Sequence, residues 1–346
     1  MAFTRSLVSA AAVATLVVAA GLVAPPAHAA EKPAPIDLAS DARTGASSFV
    51  KISDAALYKG IRRVGVPSFQ VEFITSGSAD STAREIGKSG SNYASSSYKL
   101  VGVAGPELQP LVDRMYADFT SQLVAAGYEV VPAETLRAAP AWRKMTAAGV
   151  PSPMERGTGL VLSPAGMPVV GTPPATGGGL LAGFSALASV SQMISGAFEL
   201  QELSNAYQAT MLNVWMRVSI AEAANESAGF LGRISGTAST SVKFVPMITE
   251  ARVSAMTNNI NSFVETNRPL VIQGEAIREV RDTSSLAGNV ALNVLKFAIA
   301  GAGGGGGSAA VKEYEAVAEP VQFNDVLARN AGAVQAMLIA RMSQAR

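Results

Sequence analysis

The run IRRVGVPSFQVEFITSG, residues 61–77, alternates apolar and polar positions as a strand does, yet it changes phase midway. Val64 and Val66 hold even positions, whereas Phe69, Val71 and Phe73 hold odd ones. Pro67 has no N–H to give to a ladder and belongs at an edge or a bulge, and a bulge inserts the single residue that reverses phase. The pattern therefore predicts one strand, bulged at Pro67 or Ser68. Residues 76–98 then read as a polar, Ser- and Gly-rich loop. Over 105–127, Leu108, Leu111, Val112, Met115, Tyr116, Phe119, Leu123 and Val124 recur at helical spacing, with Gly127 as the stop.

YEVVP (128–132) reads as a short buried strand, and 133–145 as a helix broken or capped around Pro140. Residues 157–171 suit two short strands about a Pro-Ala-Gly turn, TPPATGGG is a loop, and Leu181, Phe184, Leu187, Met193, Ile194, Phe198 and Leu203 predict a helix over 181–207. The period then switches to two: in ATMLNVWMRVSIAEA, Leu212, Val214, Met216, Val218 and Ile220 share one face, and Asn213, Trp215, Arg217 and Ser219 the other. NESAG turns the chain, and 230–245 and 268–282 give further strands. An apolar helix (285–300), a glycine tract, a short strand (313–319) and a closing helix (323–344) complete the order. This predicts one α/β (α+β) domain over 58–346, a mixed sheet with flanking helices and long antiparallel strands in the middle. A flexible leader (30–57) and a cleaved signal peptide (1–29) precede it.

The signal is read from a cationic start (MAFTR), an apolar run (LVSAAAVATLVVAAGLVA) and the small-residue sequence AHAA, which place cleavage after Ala29. The expected product is periplasmic or secreted, soluble or peripherally associated with the outer membrane of a bacterium, with no transmembrane segment left after cleavage. Cleavage removes Arg5, leaving basic and acidic residues in balance, and also His28, the only histidine of a chain that has no cysteine. Imidazole and thiolate chemistry are thereby excluded: common zinc sites, Ser-His and Cys-His nucleophiles, His- or Cys-ligated haem, and disulfide exchange. No cofactor or metal site is expected. Charge balance argues against a nucleic-acid partner, which calls for a basic face.

The remaining motifs have modest chemical reach. GAGGGGGSAA lacks the Lys and Ser or Thr that a phosphate loop places after its last glycine, so 301–307 reads as a Gly-rich connector. Lys296 interrupts the apolar 285–300 segment, which is too short to span a bilayer and reads as a core helix, with partner or interface docking as the alternative. Ser96 and Lys99 have the Ser-x-x-Lys spacing of a serine acyltransferase without its companion motifs. Asp113, Asp118, Glu129 and Glu134 are the available carboxylates for a glycosidase pair, although Asp113 and Asp118 fall on the polar face of the predicted helix. Trp215, beside Arg217 on the non-core phase of a strong strand, is the candidate partner-binding residue, since aromatic residues and arginine dominate interface hot spots. The competing reading is a second buried face covered by a helix. No catalytic residue is assigned.

IRRVGVPSF followed across a helix by LVAAGYEVVPAETL resembles the opening unit of the CsgG-like superfamily and its periplasmic relatives, including the TolB amino-terminal domain, where a VAVxPF strand leads through a helix to G[YF]xVVxxxxL. NAYQATMLNVWMRVSIAEAANESAGFLGRISG is similar to the later hairpin of that group. The resemblance implies a non-enzymatic role in envelope assembly or secretion, with other envelope proteins or further copies of the chain as partners. It does not extend to pore formation, because small polar residues fall on both faces of GRISGTASTSVKF. A secreted carboxylate hydrolase and a small-ligand-binding periplasmic protein are the alternatives from other classes.

Overall fold

In a computed structural model, the chain is described over residues 32–84, 91–147, 149–170, 198–226, 239–257, 260–284 and 309–346. The elements run β1 (Ala34–Pro35), α1 (Ala42–Phe49), β2 (Val50–Ile52), a 3-10 turn (Ala55–Tyr58), β3 (Arg63–Ile74), β4 (Ser76–Arg84), β5 (Ser91–Val101) and α2 (Gly105–Ala125). They continue through β6 (Glu129–Val130), α3 (Ala133–Ala138), α4 (Pro140–Ala147), β7 (Met154–Arg156), β8 (Gly159–Leu162) and a helical stretch, 198–207. Next come β9 (Thr210–Ser219), β10 (Glu222–Glu226), β11 (Ser239–Lys243), β12 (Met247–Thr257) and β13 (Ile260–Thr266). The last are β14 (Leu270–Val271), β15 (Glu279–Asp282), β16 (Ala309–Val317) and α5 (Pro320–Gln344). The α/β class with a large mixed sheet and flanking helices follows the expectation.

The phase change in β3 is a bulge. Gly65 pairs with Met211 and Ser68 with Asn213, so three steps along β3 match two along its parallel neighbour β9. Val64, Val66, Phe69, Val71 and Phe73 consequently all join one core, while Gly65 turns its α-carbon toward Met211 and Leu136 on the opposite side. The bulge takes Pro67 out of the regular ladder, and the buried Trp142 on α4 donates its indole N–H to the Pro67 carbonyl at 3.2 Å. A buried backbone acceptor that the sheet does not use thus finds a partner.

The main sheet runs β1-β14-β12-β9-β3-β8-β7, with β13 and β2 continuing from β12 and β6 added to β3. Its core face is covered by α2 and α5, which supply Leu108, Leu111, Phe119, Phe323, Val334 and Leu338. The two helices are joined by reciprocal bonds: Gln335 Nε2 donates to Met115 O (3.1 Å) and Gln122 Nε2 to Gly332 O (3.2 Å). α3, α4 and the 198–207 stretch form a smaller cluster on the other face, around Leu136, Trp142, Leu203 and Met211.

Several expectations are corrected. The leader is ordered from Ala34: Ile36, Ala46 and Val50 are buried in the main core, and β2 pairs with β13. Its elements are too short to show periodicity in text rich in Ala, Ser and Pro, so the compact body begins at Lys32 instead of Tyr58. The supposed loop at 76–98 is largely the hairpin β4–β5. The strand expected over 268–282 is divided between two sheets, as β14 and β15. β12 and β13 form a long hairpin where no element was assigned. After the Pro164–Met167 turn, Val169 bridges to Val150 instead of forming a second strand beside β8. The 285–300 helix, the 301–307 glycine tract and most of the 181–207 helix lie outside the described residues.

Candidate functional site

β3, β9 and β12 bring their non-core side chains into register as a lattice. Glu72, Arg217 and Glu250 stand in one row, Gln70, Trp215 and Arg252 in the next, and Ser68, Asn213 and Ser254 in the third. The first row is ionic. Arg217 reaches Glu72 at 2.5 Å and Glu250 at 3.3 Å, and Arg156 from β7 approaches the other oxygen of Glu72 at 3.7 Å. In the second row Gln70 Nε2 donates to Ser68 Oγ (3.0 Å) and to Val170 O (2.6 Å), while Gln70 Oε1 and Trp215 Nε1 are buried without a partner. Beyond Trp215, Arg252 lies over the Phe263 ring at 4.0 Å and pairs with Glu265, which Lys51 also reaches.

This places both expected partner-binding residues together, but inside. Trp215 is only 9 % exposed and packs against Val161 and Val169. Arg217 is committed to two carboxylates. The cover over this face comes from β8 and the segment after it and not from the expected helix, so Trp215 lies on a second buried face and has no free docking role. The lattice can lock three strands to their cover. Its more exposed charged members, Glu250 and Arg252, are held in ion pairs with Arg217 and Glu265.

The other candidates separate. Ser96 is buried and hydrogen-bonded to Thr240 (2.7 Å), whereas Lys99, three residues on and therefore on the opposite face of β5, pairs with Glu315 at 3.0 Å. They do not form a nucleophile and base. Asp113 accepts from Gln109 Nε2 (3.0 Å) and Ala165 N (2.7 Å), fixing the loop after β8. Asp118 and Glu129 pair with Arg114 and Arg63, and Glu134 sits in the first turn of α3. A groove of about 260 Å³ is lined by Gln109, Ser152, Ser163 and Met167, but its polar groups bond to one another. Among the described residues no cluster of His, Cys, Asp or Glu suited to a metal occurs.

What the sequence did not reveal is a second β assembly. β4 and β5 extend from the end of β3, β16 adds parallel to β5, and β15 closes the far margin, giving the order β15-β16-β5-β4. The hairpin β10–β11, extending from β9, stacks on this sheet with β10 over β4 and β11 over β5. Their α-carbons approach within 8 Å, closer than the roughly 10 Å usual for stacked sheets. Gly77, Ala79, Ala94 and Ser96 are small enough to allow it, and Gly77 lies directly under the Tyr98 ring, 2.6 Å from where a Cβ would meet it. At the base, Phe244 stands edge-on between Tyr98 (6.0 Å) and Tyr314 (5.8 Å), and Tyr98 donates to Ala221 O at 3.1 Å. Burial pushes the Tyr98 phenol above its ordinary pKa. A reading that treated Ser and Thr as strand-compatible at a small-residue interface would have found it.

No protein-family model matches the chain. Neither the curated proteins nor the solved structures yield a match to it.

Proposed function

We propose that the chain is an exported, non-enzymatic binding or scaffold component of the bacterial cell envelope, and that the β assembly of β4, β5, β10, β11, β15 and β16 is its binding part. The observation that carries this reading is the construction of that assembly. It projects from the ends of β3 and β9, is built largely from Ser, Ala, Thr and Gly, and leaves strand margins without a neighbour among the described residues. Backbone margins of this kind accept an added strand. The signal-type N-terminus and the resemblance of IRRVGVPSF and LVAAGYEVVPAETL to the CsgG-like group support the compartment and the role. The groups a carboxylate hydrolase would use are instead engaged in holding loops and helices. Among the described residues no helix is long and apolar enough to cross a membrane.

The test is photo-crosslinking in intact cells from a probe at Ser97, on the polar face of β5, followed by recovery from periplasm and outer membrane. Adducts with envelope proteins or with a second copy are expected from Ser97 and not from a control probe at Lys51. Recovery of free monomer alone from both positions would refute the reading.

A further inference from the structure

We propose that a second copy of this chain docks on the outer margin of β4, so that both layers of the β assembly continue across a twofold axis. The inference rests on the reading of that assembly as the binding part.

The argument begins with strand alternation. Leu100 N donates to Thr75 O, and Ser76 N turns the other way, to Thr158 O at 3.0 Å. Successive residues of a strand alternate the side on which their N–H and C=O lie. Residues 77, 79 and 81 therefore bond to β5, and Ser78 and Thr82 present their backbone groups outward. Among the described residues no strand lies beyond β4. Above it lies β10, which among the described residues is also paired on one side only, with β11. The two layers thus end open on the same side.

That coincidence selects the occupant. A single extended peptide would complete one layer. A second copy presents β4 and β10 stacked in the same way, and twofold symmetry brings each antiparallel to its mate, the isologous arrangement most common among homo-oligomers. Ser76, Gly77, Ser78, Ala79 and Ser81 put no bulky or charged side chain on the β4 side of the junction, and the pairing register must offset Asp80 of β4, and Glu222 and Glu226 of β10, from their symmetry mates. The opposite margin is built to refuse pairing. β15 is four residues long and fully exposed, with Glu279, Arg281 and Asp282, and Arg281 pairs with Glu279 at 2.7 Å. Short, charged strands are how sheets block edge association.

Sedimentation velocity of the exported chain purified from periplasm tests this. The wild-type chain is expected to sediment as a dimer. Ser78→Pro removes an outward N–H without touching a bond to β5, and should give a monomer with unchanged circular dichroism and melting temperature. Val280→Pro, which by the same alternation removes an outward N–H on the blocked margin, should remain a dimer. If Ser78→Pro fails to fold, Ser78→Lys decides: it keeps the N–H, adds a charge to the edge, and should raise the dimer dissociation constant by about tenfold or more. A wild-type chain that is monomeric at the highest soluble concentration overturns the inference, as does a folded Ser78→Pro dimer or an unweakened Ser78→Lys dimer. In those cases Ser97 adducts with other envelope proteins would leave the functional reading standing, and their absence would remove it too.

Discussion

Tyr58 closes the 3-10 turn at 0 % exposure, and its hydroxyl has no hydrogen-bond partner. The nearby Ser262 Oγ is taken up by Ser53 and by both backbone groups of Asp54. Burial is the main cause that pushes the phenol up from 10.0 to about 12. Because the folded pKa lies above the unfolded one, this contribution to stability is fully present below pH 10 and is lost as pH rises toward 12. Denaturant titrations across that window should show a loss to which Tyr98 and Tyr116 also contribute, and Tyr58→Phe should reduce it by on the order of 2 kcal/mol, with the variant no less stable than wild type at pH 7. An equal loss in the variant would assign the effect elsewhere. Trp215 shows the limit of reading single residues. Period two placed it on the non-core face correctly, but the residues that bury it, Val161 and Val169, come from an irregular stretch about fifty positions earlier and leave no trace in the pattern of β9.

At the level of elements, legibility followed side-chain contrast. The β3 bulge was readable because large apolar residues mark its phase on both sides of Pro67. β4 and β5 were not, because Ser, Gly and Ala give no hydrophobic period, and their strand character comes from β11 and β16, far away in the chain. In β12 a second irregularity, between Ile248 and Glu250, shifts the phase of a strand whose core positions are partly alanine. The β3 bulge depends on its clamp. Trp142→Phe keeps the apolar body but leaves the Pro67 carbonyl without its donor, and should cost about 1–2 kcal/mol in chemical denaturation. A neutral result would mean that the bulge holds itself. The ionic row makes a larger claim. Glu72→Ala takes from Arg217, 13 % exposed at its side chain, its nearer carboxylate and should destabilise by about 3 kcal/mol, whereas Glu72→Ala combined with Arg217→Met should recover much of the loss. A double variant as unstable as the single one would show that packing, not the orphaned charge, is at stake.

Across the whole molecule, the two sheets are held by different means. The main sheet buries Phe69, Phe119, Leu108, Leu162 and Phe323, each a side chain worth roughly 1.5–3 kcal/mol when removed from water. Between the β4–β5 and β10–β11 layers the buried contacts are Ala79, Ala94 and the Ser96–Thr240 bond, with larger rings only at the base around Phe244. Local opening follows such differences in burial. The stacked hairpins should therefore separate and exchange their amides without unfolding the sheet that carries them. In hydrogen exchange followed by mass spectrometry, peptides covering β4 and β11 should open at free energies at least about 2 kcal/mol below those of β3, β9 and α5. Glu72→Ala should lower protection more in the second group than in the first. If β4 and β11 exchange only with global unfolding, the β assembly is an integral part of the core, and the separation between a rigid body and an adaptable binding part fails.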